Sequence, residues 1–310
     1  MGTTKIEWAT RVWNPVTGCT PVSEGCANCW AKRMAKRLAG RYGYPKDEPF
    51  RVTLHPDKLD EPLRWRKASI VFVCSMGDLF HEDVPDEFVA RVWGTMRYAA
   101  EHTFLVLTKR EGRMKQWLRR CGMRWVTHDG TPPANAYEGT GVIVGEARNW
   151  PLSNVWLGTS VENQAAADER IPHLLNTPAA KRFVSCEPLL GPITFRWAKW
   201  HPVRGSNHLD GLRQLDWVIA GGESGPGAHP MHPDWARSLR DQCLEAHVPF
   251  FFKQWGEYVA PAQMPASTYR EIEDFGCGIG SENAPVSVGK KAAGRLLDGR
   301  EWDEMPERGG

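Results

Sequence analysis

Cys19, Cys26 and Cys29 stand in the stretch Gly18-Cys-Thr-Pro-Val-Ser-Glu-Gly-Cys-Ala-Asn-Cys-Trp30, a Cys-x6-Cys-x2-Cys spacing. Thiolates so spaced on one loop can take three corners of a [4Fe-4S] cube, because clusters of this type are held by cysteine sulfur. Three ligands leave one iron open to a small molecule, whereas a structural zinc site is normally closed by four. No His lies within the loop, and the nearest downstream groups able to complete a zinc site are His55, Cys74 and His81. The donor types put an open iron-sulfur cluster first, with a zinc site completed from a distance and three unliganded thiols as the alternatives.

The remaining cysteines, Cys74, Cys121, Cys186, Cys243 and Cys277, are scattered singly, without a second paired spacing that would suggest a disulfide framework. That usage fits a reducing compartment. The opening Met-Gly-Thr-Thr-Lys-Ile-Glu-Trp has no apolar signal core, and no stretch approaches the roughly 18 apolar residues of a membrane span. The expectation is a cytoplasmic protein without membrane contact. A formal charge of +2 carries no general affinity for polyanions, so nucleic-acid contacts must come from local patches. Two segments qualify: Lys32-Arg33 with Lys36-Arg37 and Arg41, and Arg110, Arg113, Lys115, Arg119 and Arg120. The chain carries 15 Trp, several beside polar motifs: Trp13, Trp30, Trp156, Trp217, Trp235 and Trp255. The default for each is a core ring with its indole N–H partnered; the alternative is stacking on a base.

The elements that must position the cysteines are legible as apolar runs: Ile70-Val-Phe-Val-Cys74, Thr103-Phe-Leu-Val-Leu107, Val155-Trp-Leu-Gly158, Arg182-Phe-Val-Ser185, Asp216-Trp-Val-Ile-Ala220 and Val248-Pro-Phe-Phe-Phe252. Runs apolar on both faces read as buried parallel strands. A first strand near Arg11-Val-Trp-Asn-Pro brings the number to about seven. Between them, Phe88, Val89, Val92, Trp93 and Met96 recur at helical spacing after Pro85-Asp86, and Trp235, Leu239, Cys243 and Ala246 do so after Pro233-Asp234. Alternation of strand and helix over 310 residues predicts a parallel α/β sheet with crossovers, open or closed into a barrel. The expected organisation is one α/β domain over residues 1–258, with insertions near 122–153 and 201–213. An irregular extension follows over 259–310, frayed from Asp303 onward.

Each apolar run ends in polar or small residues: Ser75-Met-Gly-Asp78, Thr108-Lys-Arg110, Thr159-Ser-Val-Glu-Asn163, Cys186-Glu-Pro188, Gly221-Gly-Glu-Ser-Gly225 and Lys253-Gln-Trp255. In parallel α/β sheets the carboxyl ends of the strands share one face, where ligands bind. The first strand would deliver the cysteine loop to that face. Gly221 and Gly222 would let a ligand come close to the backbone, and Glu223 would accept a hydrogen bond from an ammonium.

At these residues the sequence resembles the radical S-adenosylmethionine superfamily, and most closely a phage-associated three-cysteine-motif family. The latter resemblance runs through Trp13-Asn-Pro-Val-Thr-Gly-Cys19, the cysteine loop, Asp78-Leu-Phe80, Leu107-Thr-Lys109, Cys186-Glu-Pro-Leu-Leu-Gly191, Gly221-Gly-Glu-Ser-Gly225 and Phe252-Lys-Gln-Trp-Gly256. The resemblance implies a partial (β/α)6 TIM-like barrel with inserted loops and a [4Fe-4S] cluster on Cys19, Cys26 and Cys29. It further implies S-adenosylmethionine on the open iron, cleaved reductively to methionine and a 5'-deoxyadenosyl radical. It also implies an electron donor such as flavodoxin or ferredoxin, a DNA or RNA substrate, and a protein partner encoded nearby.

Candidate cofactor contacts are Ser75, Asp78, Gly221, Gly222 and Glu223, with Ser160, Glu162 and Asn163 facing cofactor or substrate. Glu162 and Asn163 have a helix-start role as rival. Lys109, Lys253 and Cys186 are the candidate catalytic groups, Cys186 as a hydrogen-atom donor or, alternatively, as a small buried hydrophobe. The leading function is a radical enzyme that modifies or repairs a nucleic-acid base. Its rivals are a non-catalytic metal-bearing protein that binds nucleic acid or a partner, and an enzyme of the same type acting on a small molecule or peptide.

Overall fold

A computed structural model of the chain describes residues 4, 6–124, 150–196, 211–274 and 281–307. The insertions expected near 122–153 and 201–213 lie largely outside them. The chain opens with β1 (Arg11–Trp13), the short antiparallel pair β2 (Val16–Thr17) and β3 (Thr53–Leu54), and between these two α1 (Trp30–Arg37). There follow β4 (Ile70–Val73), α2 (Asp86–Tyr98), β5 (Thr103–Thr108), α3 (Glu111–Arg124), β6 (Val155–Ser160), α4 (Gln164–Leu175), β7 (Lys181–Cys186), β8 (Trp217–Gly221), α5 (Pro233–Ala246) and β9 (Phe250–Gln254). Seven strands form one parallel sheet in the order β1-β4-β5-β6-β7-β8-β9. It curls into a half-barrel flanked by helices, the partial TIM-like architecture expected.

Both faces of the sheet are buried, which is why its strands read as unbroken apolar runs. On the outer face Val71, Val73, Phe104, Val106, Leu157, Val184, Val218 and Phe252 pack with helix residues such as Phe88, Val92, Ile171 and Leu239. On the inner face Ile70, Leu105, Trp156, Phe183, Trp217, Ile219 and Phe251 close with Trp8 into a largely aromatic plug. Parallel register sets Leu105 beside Trp156, Phe183 beside Trp217 and Ile219 beside Phe251, so the plug is layered. The first helical stripe is seen as expected, α2 burying Phe88, Val89, Val92, Trp93 and Met96; α5, opened by Pro233, buries Leu239, Cys243 and Ala246 as expected, but with Ala236 beside them and Trp235 only partly buried against the core.

Residues 258–307 depart from the irregular, frayed extension expected. They hold β10 (Tyr258–Val259) paired with β11 (Val286–Ser287), α6 (Ala266–Asp274) and α7 (Lys290–Ala293). Beyond these, Asp303 bridges antiparallel to Phe251, Phe252 N–H donates to Trp302 O at 2.8 Å, and Trp217 Nε1 donates to Glu304 O at 2.9 Å. An edge strand leaves backbone donors and acceptors in need of partners, and the tail supplies them to β9. Among the described residues no helix is long and apolar enough to cross a membrane.

Candidate functional site

The cysteine loop leaves β1 through Asn14, whose Oδ1 accepts from Ser75 Oγ at 3.2 Å and Met76 N at 3.0 Å. Gly18 then turns with φ +85°, its N–H donating to Met76 O at 2.9 Å. A Cβ at Gly18 would lie 2.2 Å from Arg51 O, so glycine alone brings the chain this close while adopting a left-handed turn. A single 3-10 turn, Glu24–Cys26, follows, and Cys29 occupies the N-cap of α1.

The end of β5 grips this loop. Asp78, buried after β4, accepts from Thr108 Oγ1 at 2.8 Å, Phe80 N at 2.9 Å, Lys109 N at 3.2 Å and Arg110 Nη1 at 3.4 Å. Lys109 and Arg110 are thereby aimed at the sulfurs: Lys109 Nζ is 3.7 Å from Cys26 Sγ, and Arg110 Nη1 is 3.2 Å from Cys19 Sγ. Arg110 also donates to Thr20 Oγ1 at 2.8 Å and pairs with Glu82 at 2.7 Å.

From the end of β6, Glu162 receives Arg170 Nη1 at 2.9 Å and Lys109 Nζ at 3.8 Å. Burial alone would raise the Glu162 pKa, but Lys109, the Ser23 hydroxyl and Arg170 outweigh it and hold the carboxyl below its ordinary value. Asn163 caps α4, its Oδ1 accepting from Ala166 N at 2.9 Å, while its amide donates to Glu24 in the cysteine loop.

The Gly221-Gly-Glu segment after β8 clasps the same loop from the far side. Glu223 Oε2 accepts from Asn28 Nδ2 at 3.1 Å and from the backbone N of His229 at 2.9 Å, and His229 Nδ1 stands 2.8 Å from it. Arg33 Nη2 donates to Ser224 O at 2.5 Å and Asn28 Nδ2 to Gly227 O at 2.6 Å. The close approach that Gly222 permits is to the protein itself, since a Cβ there would lie 1.8 Å from Trp255 O.

The three loop thiols are half-buried. Burial pushes Cys26 up, but Lys109 and hydrogen bonds from the Val22–Ser23 backbone and the Ser23 hydroxyl bring it below the ordinary thiol value. Cys19 is pushed up to about 11 by burial and Asp78, with Arg110 opposing. Among the described residues, no three His, Cys, Asp or Glu side chains are drawn together closely enough to hold a metal ion. The donor set nonetheless suits an iron-sulfur group: three thiols on one loop, two of them facing cationic donors of the kind that offset charge on ligated sulfur. The distant candidates for a zinc ligand are engaged elsewhere. His55 Nε2 meets Thr17 Oγ1 and His81 Nε2 meets Thr20 Oγ1, each at 2.8 Å, and Cys74 is buried in the outer core.

Of the residues singled out in the sequence, Asp78, Lys109, Glu162, Asn163 and Glu223 gather around the cysteines, and Ser75 supports Asn14 behind them. Ser160 contributes its carbonyl to Arg170 at 2.8 Å. Lys253 pairs with Glu187 at 2.5 Å at the neighbouring strand ends. Cys186 lies apart from them, fully buried in the helix-covered core with Cys243, as the buried-hydrophobe alternative describes. Sequence reasoning named Arg33 only within a basic segment and Glu187 only within Cys186-Glu-Pro188, and it gave no site role to Asn28 or His229. Asn28 lies between the last two cysteines, which was a usable signal, whereas nothing local marked His229. A depression of about 530 Å³ lined by Lys181, Asp216, His247 and Val248 sits at the opposite, amino-terminal ends of the strands.

Over residues 3–306 the chain matches the model of the family described as Protein of unknown function (DUF5131), and it belongs to that family. Comparison with curated proteins and with solved structures yields no match.

Proposed function

We propose that this member of the family is an iron-sulfur enzyme of the radical S-adenosylmethionine type, acting on a nucleic-acid base. One observation carries the reading: the ends of β4, β5, β6 and β8 all converge on the cysteine loop, and β5 sets a cation against two of its three sulfurs. When bound, a [4Fe-4S] cluster on Cys19, Cys26 and Cys29 would supply the electron that cleaves S-adenosylmethionine to methionine and a 5'-deoxyadenosyl radical. A flavodoxin- or ferredoxin-like donor is the proposed source of that electron.

The chain's own residues supply the rest. Lys109 and Arg110 offset negative charge on the loop sulfurs, and Asp78 fixes both by accepting from the Lys109 N–H and the Arg110 guanidinium. Asn163 and Glu223 hold the loop against the sheet through Glu24 and Asn28. Ser160 and Lys253 stand at the inner strand ends, where a substrate would enter. Acting on a duplex base requires extruding it, at about a few kcal/mol.

A second reading, a metal-stapled binding protein without catalysis, is favoured by the engagement of Glu223 Oε2 with Asn28 and His229. Anaerobic reconstitution with iron and sulfide, followed by electron paramagnetic resonance with and without S-adenosylmethionine, separates the two. A cubane signal that shifts with the cofactor and vanishes in Cys26→Ala supports the enzyme. Bound zinc, or a cluster indifferent to the cofactor, supports the staple.

A further inference from the structure

The two basic segments of the chain meet different fates. In the second, Arg110 pairs with Asp78 and Glu82, Arg113 and Arg120 pair with Asp86, and Lys115 Nζ lies 2.7 Å from His173 Nδ1, while Arg119 is exposed and enters none of the salt bridges among the described residues. In the first, Arg33 is held by Ser224 O and the other four cations are left open. Lys32, Lys36, Arg37 and Arg41 are all exposed and enter none of the salt bridges among the described residues. Between Gly25 and Lys46 the chain has six Lys and Arg and no Asp or Glu, although the whole protein carries only +2. Lys32 and Lys36 sit one turn apart on α1, as do Arg33 and Arg37, like-charge pairs that disfavour a helix by themselves.

Aromatic rings flank this charge. Trp30, directly after Cys29, is 53% exposed, while Trp13, Trp156, Trp217 and Trp255 are fully buried. Tyr42, just beyond the helix, is 76% exposed and held at φ +53°, an unfavourable backbone conformation for a bulky residue. The apolar side of α1 is already used: Ala31, Met34, Ala35 and Leu38 pack on Tyr44, Met76 and Phe50. A lipid surface would require that apolar side, whereas a strand of phosphates and bases requires what remains, cations beside rings.

We infer that the solvent face of α1, from Trp30 through Lys32, Lys36 and Arg37 to Arg41 and Tyr42, docks the backbone of a nucleic-acid strand and leads it to the cysteine loop. The helix is about 12 Å long, the rise of roughly three nucleotides along one strand of a duplex. That the strand is the substrate rests on the function proposed above; that it binds does not.

The test is fluorescence anisotropy of a labelled single-stranded DNA with the full-length protein, without S-adenosylmethionine, as a function of salt. Wild type is expected to bind with an affinity that falls as salt rises, by about 0.7 in the log–log slope for each phosphate contacted. Lys36→Glu/Arg37→Glu is expected to weaken binding about tenfold or more and to flatten the slope by about one or more. Trp30→Ala should weaken it about fivefold or more at an unchanged slope, because stacking releases no counterions. The milder Lys36→Gln/Arg37→Gln guards against misfolding of the charge reversal, and RNA and duplex arms identify the strand preferred. Absence of binding, equal binding by wild type and all variants, or equal competition by polyglutamate would overturn the inference. A protein that binds the strand but shows no cofactor-dependent spectrum keeps this surface and loses the radical reading, and the converse result does the reverse.

Discussion

Cys19, Cys26 and Cys29 at the carboxyl end of the sheet, and Cys74, Cys186 and Cys243 in the helix-covered core, are the same residue type in opposite surroundings. The loop thiols are half-buried among ions: Lys109 holds Cys26 down, and Arg110 partly offsets the burial that raises Cys19. The core thiols are sealed in apolar packing, and burial raises all three well above the ordinary value. The contrast shows that this fold divides its labour by layer. Strand interiors provide a dry scaffold, and strand ends deliver charge to one loop.

The largest test of the scaffold half is Trp217→Ala. The ring is fully buried at the centre of the inner plug and contacts Trp8, Trp156, Phe183 and Phe251. Its removal should cost about 3–5 kcal/mol in denaturant unfolding. A loss below about 1 kcal/mol would mean that the plug is not the core proposed.

Next is Glu162→Gln, which leaves Lys109 and Arg170 facing a neutral amide in a site where Glu162 is 1% exposed. We expect a loss of about 3 kcal/mol near neutral pH. Because the folded-state pKa of Glu162 lies below its unfolded value, its contribution is present above the ordinary carboxylate range and disappears as pH falls through the lowered value. The variant should therefore show a flatter acid limb in stability against pH. An acid limb as steep as that of wild type would separate Glu162 from the loop's electrostatics.

The thiols can be compared directly by alkylation with iodoacetamide near neutral pH, read by peptide mass spectrometry. Cys26 should react first and Cys19 more slowly, while Cys74, Cys186 and Cys243 should react only on unfolding. Lys109→Met should slow Cys26 roughly three- to tenfold by removing the cation 3.7 Å from its sulfur. Labelling of Cys186 at the rate of Cys26 in folded protein would break the comparison. The smallest effect is expected for Trp30→Ala on stability, within about 0.5 kcal/mol, since the ring packs on little and is more than half exposed.

The seven strands, the two amphipathic helices α2 and α5, and the loop that carries the three sulfurs were all legible in the order of residues. Burial periodicity and cysteine spacing are local properties, and both survive in a linear string. The same order placed the polar strand ends on one face, because a parallel sheet offers no other arrangement. What those ends do depends on contacts made in three dimensions. Glu223 meets Asn28 across 195 residues, and Lys109 meets Cys26 across 83, pairings no local pattern encodes. The same holds for Cys186, which strand alternation turns toward the helices, and for the tail, whose conformation follows from the open edge of β9 rather than from its own residues. The two basic segments look alike as strings of Lys and Arg. Among the described residues, folding brings Asp78, Glu82 and Asp86 to Arg110, Arg113 and Arg120 of one and sets no salt-bridging carboxylate against the other, so charge that reads alike in sequence is largely paired in one place and exposed in the other.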